Sequence, residues 1–270
     1  MKQFILPAGS DDGGFVRITG RDFHYLSHVR RLRPGAVFNA LLPGGESARI
    51  RVVSLAGGCL TGERLPPDGA AGAGETAPEK RRENGVPLPP LVLFQALPKG
   101  AKMDLIIRQA AEGGIAEIVP FISACSVPRP EDSGGRLERW RRIIREARQQ
   151  SGSGINTVVR EPAAFGALLE YWEELRGRYE RPVGLLFHQD PLEQGSFHGY
   201  LDKRPDLAVL AVGPEGGFSP EEVSRCMAAG FKPLTMGDTV LRAETAALYA
   251  QAAVRIILLE SASWMPKVSR

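Results

Sequence analysis

Leu207-Ala208-Val209-Leu210-Ala211-Val212 is apolar without interruption, and turn residues bound it on both sides. A short run of that kind predicts a strand buried on both faces. Gly213-Pro214-Glu215-Gly216-Gly217-Phe218-Ser219-Pro220-Glu221-Glu222 follows directly. Its glycines permit positive φ and close approach of backbone to a ligand. Ser219 is placed to cap a helix, Pro220 suits the first helical position, and Glu222 completes a capping box. Gly230 is placed to end that helix. Buried strand, glycine loop and capped helix in succession commit the chain to an α/β arrangement, in which ligands gather at the loops that follow strands.

A second unit of the same kind lies just downstream. Residues 231–235 read as a short strand, Met236-Gly237-Asp238 as a turn, and Leu241-Arg242-Ala243-Glu244-Thr245-Ala246 as the opening of a helix reaching about Ser261. An arginine at a helix start opposes the helix dipole. Arg242 is therefore better explained by a partner, either an ion pair with Glu244 or a ligand.

The ligand is constrained by what the first loop lacks. A P-loop requires a lysine after its last glycine, and a dinucleotide fingerprint requires a different glycine spacing. Glu215 would repel a phosphate. A cationic or zwitterionic ligand without phosphates fits better, although an ordinary tight βα turn carries the same residues.

From Leu91 onward, apolar runs alternate with helical patterns. Strands are predicted at 91–97, 115–122, 183–187 and 207–212. Met103, Ile106, Ile107 and Ala110 share one helical face, as do Leu137, Trp140, Ile144 and Ala147. Arg139, Arg142, Arg145 and Arg148 are expected on the other side of the second helix. A polar loop with a possible helical turn at 196–200 separates the last two strands. The alternation predicts a parallel sheet covered on both faces. Residues 246–259 are apolar nearly all round, so that helix is expected to be buried, in this fold or against a second subunit.

The first 65 or so residues differ. Short strands are predicted at 3–6, 14–18, 36–42, 48–55 and 59–64, with a short helix at 22–31, which suggests a small β-barrel. Arg30, Arg31 and Arg33 crowd a turn before Pro34-Gly35, where they could meet phosphates or form a solvated face. His24 and His28 share a helical face but have no third ligand nearby, so no metal site is expected. Residues 66–90, rich in Gly, Ala, Pro and charge, read as a linker.

The whole chain of 270 residues is long enough for two modest domains. A net charge of +3 permits nucleic-acid binding without demanding it. Cys59, Cys125 and Cys226 are scattered, which argues against zinc or a disulfide framework and suits the cytoplasm. No run approaches a membrane span, and Met1-Lys2-Gln3-Phe4 begins no signal peptide.

Gly213-Pro214-Glu215-Gly216-Gly217-Phe218-Ser219 together with Leu241-Arg242-Ala243-Glu244-Thr245-Ala246 closely resembles the ribosomal RNA uracil-N3 methyltransferases of the SPOUT superfamily. Lys99-Gly100-Ala101-Lys102-Met103-Asp104, Ala111-Glu112-Gly113-Gly114-Ile115 and Gln150-Ser151-Gly152 follow further segments of that family. Gly113, where the family has leucine, should loosen a helix end. Gln149 also departs from the pattern, and Ser153 replaces an arginine, which puts an RNA or intersubunit contact in doubt. Gln189 replaces the acid of Leu-His-Glu. His28-Val29-Arg30-Arg31-Leu32-Arg33-Pro34-Gly35 matches the family's His-Val-Leu-Arg turn imperfectly, with Arg30 or Arg31 at the arginine position.

The resemblance implies an N-terminal PUA-like RNA-binding barrel over residues 1–70, a linker over 71–90, and a SPOUT domain over 91–270 with a deep trefoil knot. It implies S-adenosylmethionine as cofactor, held by Phe187, His188, Gly213, Pro214, Glu215, Gly216, Met236, Gly237, Val240, Leu241 and Thr245. It implies a homodimer that methylates a uridine in small-subunit ribosomal RNA. Arg242 is the expected catalytic residue, with Glu244 orienting it, and Arg30, Arg31, Arg33, Lys99 and Lys102 are expected on RNA. A methyltransferase acting on tRNA, a non-catalytic RNA-binding assembly factor, and, more weakly, an NAD- or ATP-dependent enzyme remain alternatives.

Overall fold

The structure is a computed structural model that describes residues 4–7, 9–42, 46–66, 88–126, 133–190, 192–193 and 195–263. Most of the sequence-predicted linker, residues 67–87, lies outside the described residues. Contacts divide the chain into two compact units, Met1–Glu79 with Arg145–Asn156, and Lys80–Ile144 with Thr157–Arg270.

The first unit holds β1 (Phe4–Ile5), β2 (Asp11–Asp12), β3 (Phe15–Thr19), α1 (Gly20–His24), β4 (Val37–Leu41), β5 (Ser47–Ala56) and β6 (Cys59–Leu65). They form one curled, mixed sheet in the order β1-β4-β5-β6-β3-β2. Only the β1–β4 pair is parallel. Alternation with period two places Val16, Ile18, Phe38, Ala40, Ile50, Val52 and Leu60 in a single core beside Phe4 and Leu26. The predicted helix runs as α1 into a π-helical turn over Tyr25–Val29. The Asp-Asp strand β2 carries no apolar signal and was not anticipated.

The second unit begins with β7 (Leu91–Ala96), α2 (Lys102–Glu112) and β8 (Glu117–Ile122). Helix α3 (Ser133–Ser151) starts here, and its last turns belong to the first unit. Then come β9 (Val158–Val159), β10 (Ala163–Ala164), α4 (Phe165–Arg178), β11 (Pro182–Phe187), α5 (Phe197–Leu201), β12 (Leu207–Val212), α6 (Pro220–Ala228), β13 (Lys232–Leu234) and α7 (Ala243–Ser263). The seven-stranded sheet is ordered β10-β8-β7-β12-β11-β13, with β9 paired to β8, and every pairing is parallel.

All residues of β7 and β12 are buried, the polar Gln95 included, as befits central strands of a parallel sheet. One face of the sheet packs on α4 and α6 through Phe94, Phe121, Trp172 and Cys226. Helix α7 packs against α2 and on β7 and β12.

One sequence expectation is corrected here, one helix was missed, and the reading of the last helix is narrowed. Arg148 is buried and donates to Asn156 Oδ1 at 2.8 Å, because four residues beyond Ile144 it lies on the apolar face and not opposite it. Helix α4 was not anticipated, although Phe165, Leu168, Trp172 and Leu175 bury one face at helical spacing. Helix α7 is buried on one side only: Ala247, Ala250, Val254 and Leu258 face inward, while Tyr249 is 56% and Ile256 53% exposed.

Candidate active site

Two loops and one strand end are drawn together by the strand order. Strand β11 lies between β12 and β13, and Phe187 is in register with Val212 on one side and Leu234 on the other. All three strands therefore end together at the carboxyl edge, and His188 N donates to Leu234 O at 3.0 Å. The Gly213 loop leaves β12 and the Met236 turn leaves β13 beside the Phe187–His188 end of β11.

The first loop is anchored as the sequence predicts. Ser219 Oγ accepts from Glu222 N, and Glu222 returns the bond to Ser219 N, with Pro220 in the first helical position. At the other end of α6, Gly230 N donates to Met227 O and Phe231 N to Cys226 O, the two bonds of a Schellman closure, with Gly230 at φ +87°. Gly213 is needed for space: a Cβ there would stand 3.2 Å from the Gly217 carbonyl carbon and from the Phe218 ring.

A cleft at this edge is lined by Phe187, His188, Gly213, Pro214, Met236, Gly237, Val240 and Leu241 among the sequence-predicted residues. Gln189, Val212, Thr235, Thr239, Ala243 and Ala246 line it as well and were not singled out. Their signal was available, since each lies beside a predicted residue in the same loop or helix opening. Glu215, Gly216 and Thr245 are not on the lining. Gly216 faces Cys125 instead, with only 3.1 Å from a hypothetical Cβ to Cys125 Cβ.

The lining is mostly apolar and has no lysine or arginine among its described residues. His188 Nδ1 is buried there without a hydrogen-bond partner, and its Nε2 is 3.5 Å from Asp190 Oδ2. Such a cleft suits a ligand with an apolar body and no phosphates. It encloses about 60 Å³.

Charge is concentrated just outside the cleft. Glu215 accepts from the Lys99 backbone N–H at 3.1 Å and from Lys102 Nζ at 2.7 Å. Burial pushes the Glu215 carboxyl up, but the bonds from Lys102 and from backbone N–H groups outweigh it and leave the carboxyl below its ordinary value. The Glu215 bond in turn raises the Lys102 ammonium above its ordinary range, against opposition from burial and from Arg242.

Glu244, at the opening of α7, has its Oε2 3.7 Å from Lys102 Nζ. It makes no ion pair with Arg242, contrary to the orienting role expected from their closeness in sequence. Arg242 is exposed immediately before α7, and its guanidinium has no ion-pair or hydrogen-bond partner among the described residues.

In the first unit, Arg31 and Arg33 are exposed, and Arg31 holds a left-handed φ of 53°. Arg30 has its Nη1 buried without a partner. The His24 and His28 rings stack with centroids 4.4 Å apart.

The RNA methyltransferase domain family matches residues 86–255. The chain is also 35% identical over 246 residues to the ribosomal RNA small subunit methyltransferase E of Synechocystis sp., a match that covers 90% of this chain and 73% of that one. This chain belongs to the RNA methyltransferase family.

Other family members agree. The ribosomal RNA small subunit methyltransferase E of Mycobacterium bovis is 30% identical over 94% of this chain and 91% of its own. The solved structure of the Neisseria gonorrhoeae enzyme of the same name, bound to S-adenosyl methionine, superposes with a TM-score of 0.76 at 26% identity, covering 95% of this chain and 98% of that one. The RNA methyltransferase match contains the whole parallel sheet and every residue that lines the cleft. No described helix is long and apolar enough to cross a membrane.

Proposed function

We propose that this protein transfers a methyl group from S-adenosylmethionine to N3 of a uridine in small-subunit (16S) ribosomal RNA. One observation carries the reading: a cleft at three strand ends, with no lysine or arginine on its described lining, opens beside an arginine that has no partner among the described residues. When bound, S-adenosylmethionine supplies a methyl group already made electrophilic by its sulfonium. Phe187, Met236, Val240 and Leu241 offer apolar surface for its adenosyl part, and the orphan His188 Nδ1 offers a polar contact. The exposed 237–240 turn forms one wall of the cleft and leaves it open to solvent on that side.

Uracil N3 carries a proton at neutral pH and becomes nucleophilic as that proton leaves. Negative charge then spreads over the imide, and Arg242, permanently charged, donates to a carbonyl oxygen and stabilises it. Positioning supplies the rest. Arg30, Arg31 and Arg33 meet RNA phosphates from a PUA-like N-terminal barrel.

The return of the chain from β12 to β13 across β11 suits a deep trefoil knot, and the exposed stripe of Tyr249, Ile256 and Leu259 on α7 suits a homodimer. Free, scattered cysteines suit the cytoplasm.

Methyl-labelled S-adenosylmethionine incubated with ribosomal RNA tests the reading. Label at N3 of one small-subunit uridine supports it. Label in tRNA, or at a ribose, replaces it with another methyltransferase activity. Arg242→Ala should slow single-turnover methylation by about 10²- to 10³-fold, with cofactor affinity nearly intact.

A further inference from the structure

Two carboxylates just outside the cleft, Glu215 and Glu244, both face Lys102. Its ammonium lies 2.7 Å from Glu215 Oε1 and 3.7 Å from Glu244 Oε2. Glu244 Oε2 is buried and has no hydrogen bond, so the Lys102 charge is what compensates it. Arg242 stands two residues from Glu244, close enough to Lys102 for the two cations to repel each other, yet it makes no ion pair of its own. The Glu244 carboxylate faces Lys102 and makes no ion pair with Arg242. Here the carboxylate is already occupied.

We propose that Lys102 is a positioning residue that holds Glu215 and Glu244 away from Arg242, keeping the arginine charge uncompensated for substrate. Lys102 sits at the first position of α2 and reaches both the glycine loop and the opening of α7, so it joins the two halves of the cleft from outside. On this assignment the residue does not spend its charge on an RNA phosphate. With Lys102 removed, the Glu244 carboxylate swings to Arg242 and neutralises it. The consequence for catalysis rests on the function proposed above; the pairing itself does not.

Two readouts on Lys102→Ala, Lys102→Arg and the double variant Lys102→Ala/Glu244→Gln separate these points. The first is phenylglyoxal modification of Arg242, followed by peptide mass mapping, which needs no RNA and no turnover. A free guanidinium reacts readily and an ion-paired one slowly. Lys102→Ala should slow modification of Arg242 by roughly fivefold or more. The double variant should restore the wild-type rate, and Lys102→Arg should retain it. An unchanged rate in Lys102→Ala, or no recovery in the double variant, overturns the proposal.

The second readout is single-turnover methylation together with RNA affinity across salt concentrations. Lys102→Ala should lower the rate by about 10- to 100-fold with recovery in the double variant and no change in the salt slope. Loss of RNA affinity with a slope lowered by about one would make Lys102 a phosphate contact and overturn the assignment. Should the wild-type protein modify no ribosomal RNA while the labelling pattern holds, the proposed function falls and the pairing stands.

Discussion

The Glu222 carboxylate and the Ser123 hydroxyl are 2.9 Å apart, both buried, and 99 residues separate them in the chain. The same carboxylate accepts from the Ala124 backbone N–H and from Ser219 N, each at 2.9 Å. A residue that caps its own helix therefore also fastens the loop after β8 to the glycine loop. Its position in a capping box was legible in the sequence; its second task was not.

Replacing Glu222 by Ala should cost about 2–4 kcal/mol, because one buried and two part-buried donors lose a charged acceptor at once. Urea unfolding measures it. A loss no larger than that of an ordinary cap, about 1 kcal/mol, would mean that the Ser123 and Ala124 bonds contribute nothing.

The composition of the cleft makes a prediction about selectivity. With no lysine or arginine on its described lining, it has nothing to neutralise a triphosphate or diphosphate. S-adenosylmethionine at a hundredfold excess over its Kd should stabilise the protein by about 2.7 kcal/mol, seen as a rise in Tm. ATP and NAD at the same concentration should leave Tm where it was. A comparable rise with ATP would return the nucleotide-dependent alternative to contention.

Legibility followed how local each signal was. The strand at 207–212 and the capped helix after it matched the structure because apolar run, cap, proline and terminal glycine all lie within one stretch of chain. Helix α4 escaped notice for the opposite reason. Its N-cap is Ala164, which makes no side-chain bond, so the apolar spacing of Phe165, Leu168, Trp172 and Leu175 had no start signal to frame it.

The site divided in the same way. Eight of the fifteen residues that line the cleft, most of them at or just after strand ends, were named from the sequence. The contact of Glu215 and Glu244 with Lys102 was not legible, because Lys102 lies 113 residues from the first and farther still from the second. Sequence adjacency suggested Arg242 for Glu244, and a long-range contact won.

Acid should act on the Glu215–Lys102 pair with a definite sign. The Glu215 carboxyl is held below its ordinary value of 4.5 in the fold, so its contribution is present above that value and is lost as pH falls through the lower folded one. Lys102, raised above 10.5, contributes below that value and loses its contribution as pH rises through the higher folded one. Between these limits the pair is constant. Glu215→Gln should lower stability near neutrality only slightly, since the pair is solvent-screened. The gap between variant and wild type should close on acidification below the ordinary carboxylate range. Thermal melts across pH 2–7, with a gap that persists at the acid end, would deny the pair this role.

Gly113 offers the last test, because the family resemblance and the structure disagree about why a glycine stands there. A glycine in place of leucine was expected to loosen the end of α2. In the structure Gly113 keeps an ordinary right-handed φ of −74°, so its conformation demands no glycine. What it provides is room. A Cβ at this position would approach Gln251 Oε1 of α7 to 2.9 Å and Gln109 O to 3.2 Å, inside the packed α2–α7 contact.

Restoring the family's leucine would gain helix propensity of about 1 kcal/mol, yet it would force Gln251 to shift, at a cost of about 1–3 kcal/mol. Overpacking wins on these magnitudes, and Gly113→Leu should destabilise. Paired with Gln251→Ala, which clears the clash, the same leucine should recover most of the loss. Urea midpoints of the two variants decide it: a single variant more stable than wild type would show that α2 and α7 have slack the structure does not display.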